Sequence, residues 1–335
     1  MSTSEHSNLP AQIAEVIAGV PKALIPNSVK ALDRLIGAAV DIPVAWMAQK
    51  KAQIEAQTQS YTSIEKSIAE EAAKIAGGNA DTVQNAVNIL VRKAYQKQIN
   101  RESVATAMVE DMRTNPGENS HTPNEAPPPN LDEDWLNVFE RYAEDASTER
   151  MQNLWGRVLA GEIRKPGRYS MRILRFPSEF SQADGLTFAE FCTSAFGDLA
   201  PKSLVKPQKD KDIRSLIFLE SAGLIQGASG LGLTNKVTFD SSGNAIMREG
   251  PLALLLQGLP GETFEYETCV LTPLGQELLS LIPGRDARAA ARKVAQSIKS
   301  AAIKSAFLTT ISQSNDTLIL TEIIWQPELE VNQST

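Results

Sequence analysis

Four basic side chains near the end of the chain are the set best suited to bind a charged ligand. They are Arg285, Arg288, Arg292 and Lys299. Their spacings of three, four and seven residues would align them in one stripe of an α-helix. Such a stripe could contact the phosphates of nucleic acid or of lipid head groups, and salt would weaken each contact. The alternative is a solvated helix face whose cations pair with the acidic remainder of the protein.

The sequence offers little to a catalytic mechanism. Its two histidines, His6 and His121, lie in polar or proline-rich segments, whereas catalytic imidazoles normally need a packed and oriented site. The glycine-rich run 227–232 lies beside a strand pattern and does not open a helix, so a loop is favoured over a nucleotide site. We therefore expect no enzyme activity and no cofactor.

Carboxylates are plentiful enough to raise the question of a magnesium site. The clustered ones are Asp132, Glu133, Asp134, Glu140, Glu144, Asp145 and Glu149. Because Arg141 and Arg150 lie among them, a solvated helix face is the favoured interpretation. A metal-dependent hydrolase is the weaker alternative.

Composition restricts the partners and the compartment. The 335 residues carry a net charge of −7, with a pI near 5.2, so any nucleic-acid binding must come from a local patch. Cys192 and Cys269 are too few for a disulfide framework. The N-terminus lacks the pattern of a secretory signal, and no stretch of 18 residues is free of charge. A cytoplasmic protein is expected, with a peripheral position at the inner membrane left open.

Hydrophobic periodicity predicts a mainly α-helical chain with a smaller α+β part. The predicted regions are a helical N-terminal region 1–112, a linker 113–130, a helical middle domain 131–205, a winged-helix-like domain 206–283, and a basic helix and β-like tail 284–335. Within the first region, 9–46 is amphipathic, a polar helix covers 45–76, and a helix pair covers 83–98 and 102–112. The amphipathic segment could lie in a membrane interface, but packing within the protein or a homo-oligomer is favoured.

Two phrases predict the winged-helix-like frame. Phe218–Ile225 reads as a helix that ends at Gly223 and turns into a strand. Val270–Leu278 reads as a strand followed by a helix, with Thr272 as N-cap and Pro273 at the first helical position. Strand patterns lie at 236–239, 252–257 and 263–272, and a helix at 285–307 precedes the β-like tail 317–325. This frame is shared by DNA-binding and protein-binding modules.

Several phrases carry a resemblance to known families. They are Arg34–Pro43, Tyr95–Arg101, Leu154–Glu162 (LWGRVLAGE) and Lys165–Ser170. They resemble an uncharacterised bacterial family of unknown function over about residues 15–282. The helical N-terminus together with the Leu154–Glu162 phrase is more distantly similar to abortive-infection alpha proteins. That resemblance implies a role in bacteriophage defence and implies no catalytic centre.

The apolar residues of the Leu154–Glu162 phrase form a candidate interaction face. They are Leu154, Trp155, Val158 and Leu159. Core packing is the simpler explanation, because Gly156 and Ala160 would allow a neighbouring helix to approach closely. A partner-binding groove is the alternative.

Taken together, these patterns favour a non-enzymatic interaction protein. It is expected to act in phage defence through protein partners encoded nearby, with contact to a membrane surface left open. The alternative is a winged-helix regulator that binds nucleic acid.

Overall fold

The computed structural model divides the chain into two compact units, residues 1–178 and 179–335. The residues that it describes are 19–36, 80–115, 129–205, 210–229, 232–311 and 317–326. The predicted polar helix 45–76 and most of the predicted linker lie outside them. The architecture is mixed α+β, with helices in both units and two antiparallel sheets in the second.

The first unit contains five α-helices among its described residues. In chain order they are α1 (Ile25–Ile36), α2 (Ala80–Thr114), α3 (Glu133–Glu144), α4 (Glu149–Arg164) and α5 (Met171–Glu179), which ends at the unit boundary, and a 3-10 turn at Lys22–Leu24 precedes α1. α2 is the central helix, because α1, α3 and α4 all pack against it, α4 most extensively. Aromatic rings join α3 to α4: Trp135 stacks on Phe139, and Trp155 meets Phe139 edge-on.

The apolar face of α1 is covered by the protein itself. Ala31, Leu32 and Leu35 are buried. On the polar side, the Lys30 ammonium donates to the carbonyl of Leu131 at 2.8 Å. The described part of the predicted amphipathic region is therefore packed within the first unit. The remainder of 9–46 lies outside the described residues.

One long helix, α2, replaces the predicted pair 83–98 and 102–112. The stretch 80–114 contains neither glycine nor proline, so nothing in it breaks the helix. Asn100, near the predicted break, is buried and donates its side-chain amide to the carbonyl of Glu144 at 2.7 Å. Because this partner lies on another helix, the amide does not compete with the backbone of α2.

The second unit has its first sheet centred on a single strand. The elements around it are α6 (Gln182–Cys192), β1 (Leu199–Pro201), α7 (Lys202–Val205), α8 (Asp210–Ser221), β2 (Ile225–Gln226), β3 (Leu233–Thr238), β6 (Thr263–Leu271) and α9 (Pro273–Leu279). β1, β2 and β3 all pair antiparallel with β6. The predicted boundaries are confirmed where local signals are strong: Gly223 has φ +74° after α8, and Thr272 caps α9 with Pro273 in its first turn.

The second sheet has the strand order β4-β5-β7-β8. Its strands are β4 (Asn244–Glu249), β5 (Leu252–Gln257), β7 (Ser305–Ile311) and β8 (Leu318–Trp325), and α10 (Ala287–Ser297) lies between β6 and β7 in the chain. The β4-β5 hairpin therefore comes between β3 and β6 in sequence while belonging to the other sheet. α10 packs its Val294 and Ala295 against Leu254 and Leu308 to form the core of this part.

The predicted helix 285–307 is wrong beyond its middle. α10 ends at Ser297, a turn follows in which the Ile303 N–H donates to the Ser300 carbonyl at 3.1 Å, and β7 begins at Ser305. β7 lies between β5 and β8, so its backbone is satisfied by partners that are about 50 and 15 residues away in sequence. The spacing of apolar residues in one segment cannot reveal that the segment pairs with strands that are distant in sequence.

Candidate interaction surface

Arg285, the first member of the predicted basic stripe, is held inside the second unit. Its guanidinium forms a bidentate ion pair with Glu249 of β4 and donates to the carbonyls of Cys192 at 3.1 Å and Ala195 at 2.6 Å. The side chain is only 8% exposed. Glu249 also accepts the N–H of Gly197 at 2.8 Å. Arg285 therefore joins β4 to the segment after α6 and is turned away from solvent.

The other three cations of the stripe occupy different settings. Arg292 is paired with Glu322 of β8 through two hydrogen bonds of 2.7 and 2.9 Å, and these bonds hold the pKa of Glu322 below its ordinary value. Lys299 lies after the end of α10, with its ammonium 5.4 Å from the ring centre of Trp325. Arg288 is exposed on α10. The structure thus separates the four cations, and two of them serve the protein's own carboxylates.

The Leu154–Glu162 phrase forms the inner face of α4. Trp155, Val158 and Leu159 are at most 1% exposed, and Leu154 is half-buried. The expected close approach is present at Gly156, where an added Cβ would lie 2.5 Å from the Cβ of Ala107 in α2. These candidate interaction residues therefore lie in or against the core of the first unit.

The acidic residues of α3 are engaged by neighbouring cations. Glu140 accepts from Arg34 at 2.9 Å and from Arg101 at 2.7 Å, and Glu144 is paired with Lys97. In the described ranges, no group of three or more His, Cys, Asp or Glu side chains is placed to hold a metal ion. These carboxylates tie α3 to α1 and α2.

The glycine-rich loop and the two cysteines also have structural surroundings. The N–H groups of Gly227, Ala228 and Ser229 all donate to the carboxylate of Glu220, at 2.8 to 3.2 Å, so the protein's own side chain occupies this anion-binding turn. Cys192 is buried, and desolvation raises the pKa of its thiol to about 12. Burial also raises the pKa of Cys269. Thiols in this condition are poor nucleophiles.

An apolar row crosses all four strands of the second sheet. From β4 to β8, its members are Ile246, Leu255, Phe307 and Ile323, each the cross-strand partner of the next. The strand neighbours Leu254 and Leu308 pack against α10, and successive residues of a strand point to opposite faces. The row therefore lies on the face of the sheet that is turned away from α10. We call it the sheet-face row.

The ends of the sheet-face row are open to solvent. Ile246 is 41% exposed and Ile323 is 48% exposed. Leu320 of β8, which pairs with Thr309 beside the row, is 55% exposed. Leu255 and Phe307 in the centre are half-buried. An exposed, contiguous apolar patch is typical of a binding surface. The sequence analysis missed it, because β4 was not recognised and the predicted helix 285–307 ran into the first residues of β7.

A second apolar exposure lies on α8. Ile213 and Ile217 are one helical turn apart and are 45% and 53% exposed, while Leu219 is buried. The outward face of this helix is thus apolar, with Arg214 beside Ile213. Among the helices that the structure describes, none combines the length and the hydropathy of a membrane-spanning segment.

Comparison with protein families gives one match. A family model described as "Protein of unknown function (DUF2806)" matches residues 89–242. This segment is shorter than the predicted 15–282. It includes the Leu154–Glu162 phrase but excludes the sheet-face row. Comparison with curated proteins and with solved structures gave no match. Over somewhat less than half of its length, the chain is therefore similar to a family to which no activity is assigned.

Proposed function

We propose that the chain is a non-enzymatic interaction protein that binds a partner protein through the sheet-face row. The observation that carries this proposal is the strand register, which aligns Ile246, Leu255, Phe307 and Ile323 on the face opposite α10. The row contains no charged side chain, so it complements a partner surface that is itself apolar and low in charge. Burial of such a patch would favour association through the hydrophobic effect.

We also propose a winged-helix-like arrangement for the elements around the first sheet. The order of α6, β1, α7, α8, β2, β3 and β6, with β6 central, supports it. In DNA-binding proteins built around such helices, the helix that enters the groove carries polar and basic side chains. The corresponding α8 exposes Ile213 and Ile217. This composition favours a protein-binding use of the domain over a DNA-binding one.

The proposed biological setting is bacteriophage defence. Its support is the similarity of the helical N-terminus and the Leu154–Glu162 phrase to abortive-infection alpha proteins. In such a setting the partner would be encoded nearby. The chain would act by binding that partner and would catalyse no reaction.

The test introduces a negative charge at each end of the sheet-face row. The double variant Ile246→Glu/Ile323→Glu places two carboxylates on exposed positions of the outer strands, where they remain hydrated and do not enter the core. We expect it to lose copurification with the products of the adjacent genes, coexpressed as a set. We also expect it to lose protection in plaque assays with the same gene set.

The matched control is Gln296→Glu/Ala301→Glu, which makes the same change in charge at two exposed positions away from the row. It should behave as the wild type in both assays. A third variant, Ile213→Glu/Ile217→Glu, separates the α8 surface from the sheet. Unchanged copurification and unchanged plating by the Ile246/Ile323 variant would contradict the proposal. Salt-sensitive binding of duplex DNA that is lost in Arg288→Ala/Lys299→Ala would replace it with the nucleic-acid alternative.

A further inference from the structure

A cleft of about 410 Å³ lies in the second unit where α7, β6 and the C-terminal end of α10 meet. Lys202 and Ser203 line it from α7, Tyr266 from β6 and Ile298 from the end of α10, with Pro201 beside them. A volume of this size falls in the range of small-molecule sites, which combine apolar walls with a few polar groups. The cleft is separate from the sheet-face row.

Three polar groups that line the cleft, Lys202, Ser203 and Tyr266, are hydrogen-bond donors. The Tyr266 hydroxyl accepts from the side-chain amide of Asn235 at 2.9 Å, so its own proton remains to be donated. Within the part of the chain that the structure describes, Lys202 makes no ion pair and the Ser203 hydroxyl makes no hydrogen bond. Gly232 lies close to Lys202: an added Cβ there would be 2.6 Å from the Lys202 Nζ. Three donors with free protons call for an acceptor that carries negative charge.

The charge of the surroundings favours an acceptor with one negative charge over an acceptor with two. Ser297 and Ile298 bring the C-terminal end of α10 to the cleft, and a helix C-terminus carries a partial negative charge. Glu267 adds a carboxylate at the same place. A dianionic phosphate would be repelled by both, with one lysine to offset them, whereas a carboxylate is repelled less. Pro201 and Ile298 provide apolar wall for the rest of a ligand.

We propose that this cleft binds a small amphipathic monocarboxylate. Its carboxylate contacts Lys202, Ser203 and Tyr266, and its apolar body lies against Pro201 and Ile298. The ligand would join α7, which follows β1 of the first sheet, to the end of α10, which packs on the second sheet. The cleft and the sheet-face row have no residue in common, so ligand binding and partner binding can be tested separately.

Ligand-observed saturation-transfer NMR on the full chain tests the proposal. The probes are octanoate, 4-phenylbutyrate and indole-3-acetate, each compared with its neutral amide of the same shape, and phenyl phosphate as the dianion. We expect transfer to the carboxylates and little to the amides or to the phosphate. Lys202→Met keeps the aliphatic stem but removes the charge, and it should weaken carboxylate binding by about tenfold, the usual effect of losing one charge-assisted hydrogen bond.

Two further variants keep the outcome interpretable. Lys236→Met removes an exposed lysine whose nearest carboxylate is Glu265 at 3.8 Å, and it should bind the probes like the wild type. Tyr266→Phe keeps the ring and removes one donor, so it should weaken binding by about fivefold even if Lys202→Met is poorly folded. Equal transfer to acids and amides, stronger transfer to phenyl phosphate, no transfer to any probe, or full binding by Tyr266→Phe would each overturn the proposal.

Discussion

The buried carboxylate of Glu162 accepts the backbone N–H of Tyr169 at 3.0 Å, and thereby holds the loop that follows α4 against the end of that helix. The same carboxylate accepts the N–H of Gly167 at 2.6 Å. Gly161 makes room for this arrangement, because an added Cβ would lie 2.7 Å from the Tyr169 ring. The Leu154–Glu162 and Lys165–Ser170 phrases are therefore two parts of one structural unit.

Glu162→Gln should destabilise the first unit by about 1–3 kcal/mol, because the substitution replaces one acceptor oxygen by a donor that faces a backbone N–H in a buried place. Urea unfolding followed by circular dichroism measures the change. Glu149→Gln in the first turn of the same helix, at an exposed position, is the control and should shift the midpoint little. Equal midpoints for the two variants would show that the Glu162 contacts do not stabilise the loop.

Gly156→Ala should destabilise the protein by about 1–3 kcal/mol through overpacking. The added methyl would meet the Ala107 Cβ at 2.5 Å and the backbone of Met108 at 2.8 Å, and backbone atoms cannot move aside cheaply. Gly185→Ala in α6 is the opposite case, since nothing lies within 4 Å of its added Cβ. That variant should gain about 0.5–1 kcal/mol from helix propensity. Thermal unfolding of both should give shifts of opposite sign, and shifts of the same sign would contradict this packing.

Arg285→Met should destabilise the second unit by about 1–3 kcal/mol, because it leaves the partly buried carboxylate of Glu249 without its cation. Glu249→Gln should cost a similar amount. The double variant Arg285→Met/Glu249→Gln should be destabilised by clearly less than the sum of the two single variants, since no unpaired charge remains. Denaturant unfolding of the four proteins measures this coupling. Additive effects would mean that the two side chains act separately.

Glu220 should add a pH-dependent contribution to stability. Partial burial alone would raise the pKa of Glu220, but hydrogen bonds from the Ser229 hydroxyl and from the loop N–H groups lower it below its ordinary value of 4.5. Because the folded pKa is the lower one, the contribution is complete above the unfolded pKa and is lost as pH falls through the folded value. The stability difference between the wild type and Glu220→Gln should therefore shrink on acidification below about pH 5. A difference that is constant across this range would contradict the role of the ionised carboxylate.

Local signals in the sequence were sufficient for much of the fold. The cap at Thr272, the helix end at Gly223, the strand β5 at 252–257 and the tail strand β8 each depend on residues within a few positions of one another. The close approach at Gly156 was also predicted, because small residues on an apolar helix face have few other uses. In these cases the local preference and the tertiary structure agree.

What could not be predicted depends on partners that are distant in sequence. The end of the helix predicted at 285–307 adopts a strand because β5 and β8 lie on either side of it. The spacing of Arg285 matched a helical stripe, yet its environment is set by Glu249 and by the carbonyls after α6. The sheet-face row needs the register of four strands. No window of neighbouring residues contains that information.

The nesting of the β4-β5 hairpin between β3 and β6 makes the second unit indivisible. A chain shortened after Pro283 would keep β5 but lose α10 and β7, the two elements that cover Leu254 and Leu256. The truncated product would then expose a long, uncharged strand edge, which invites aggregation. Fragments for crystallisation or interaction mapping should therefore retain everything from Glu179 to at least Trp325, even if only the first sheet is of interest.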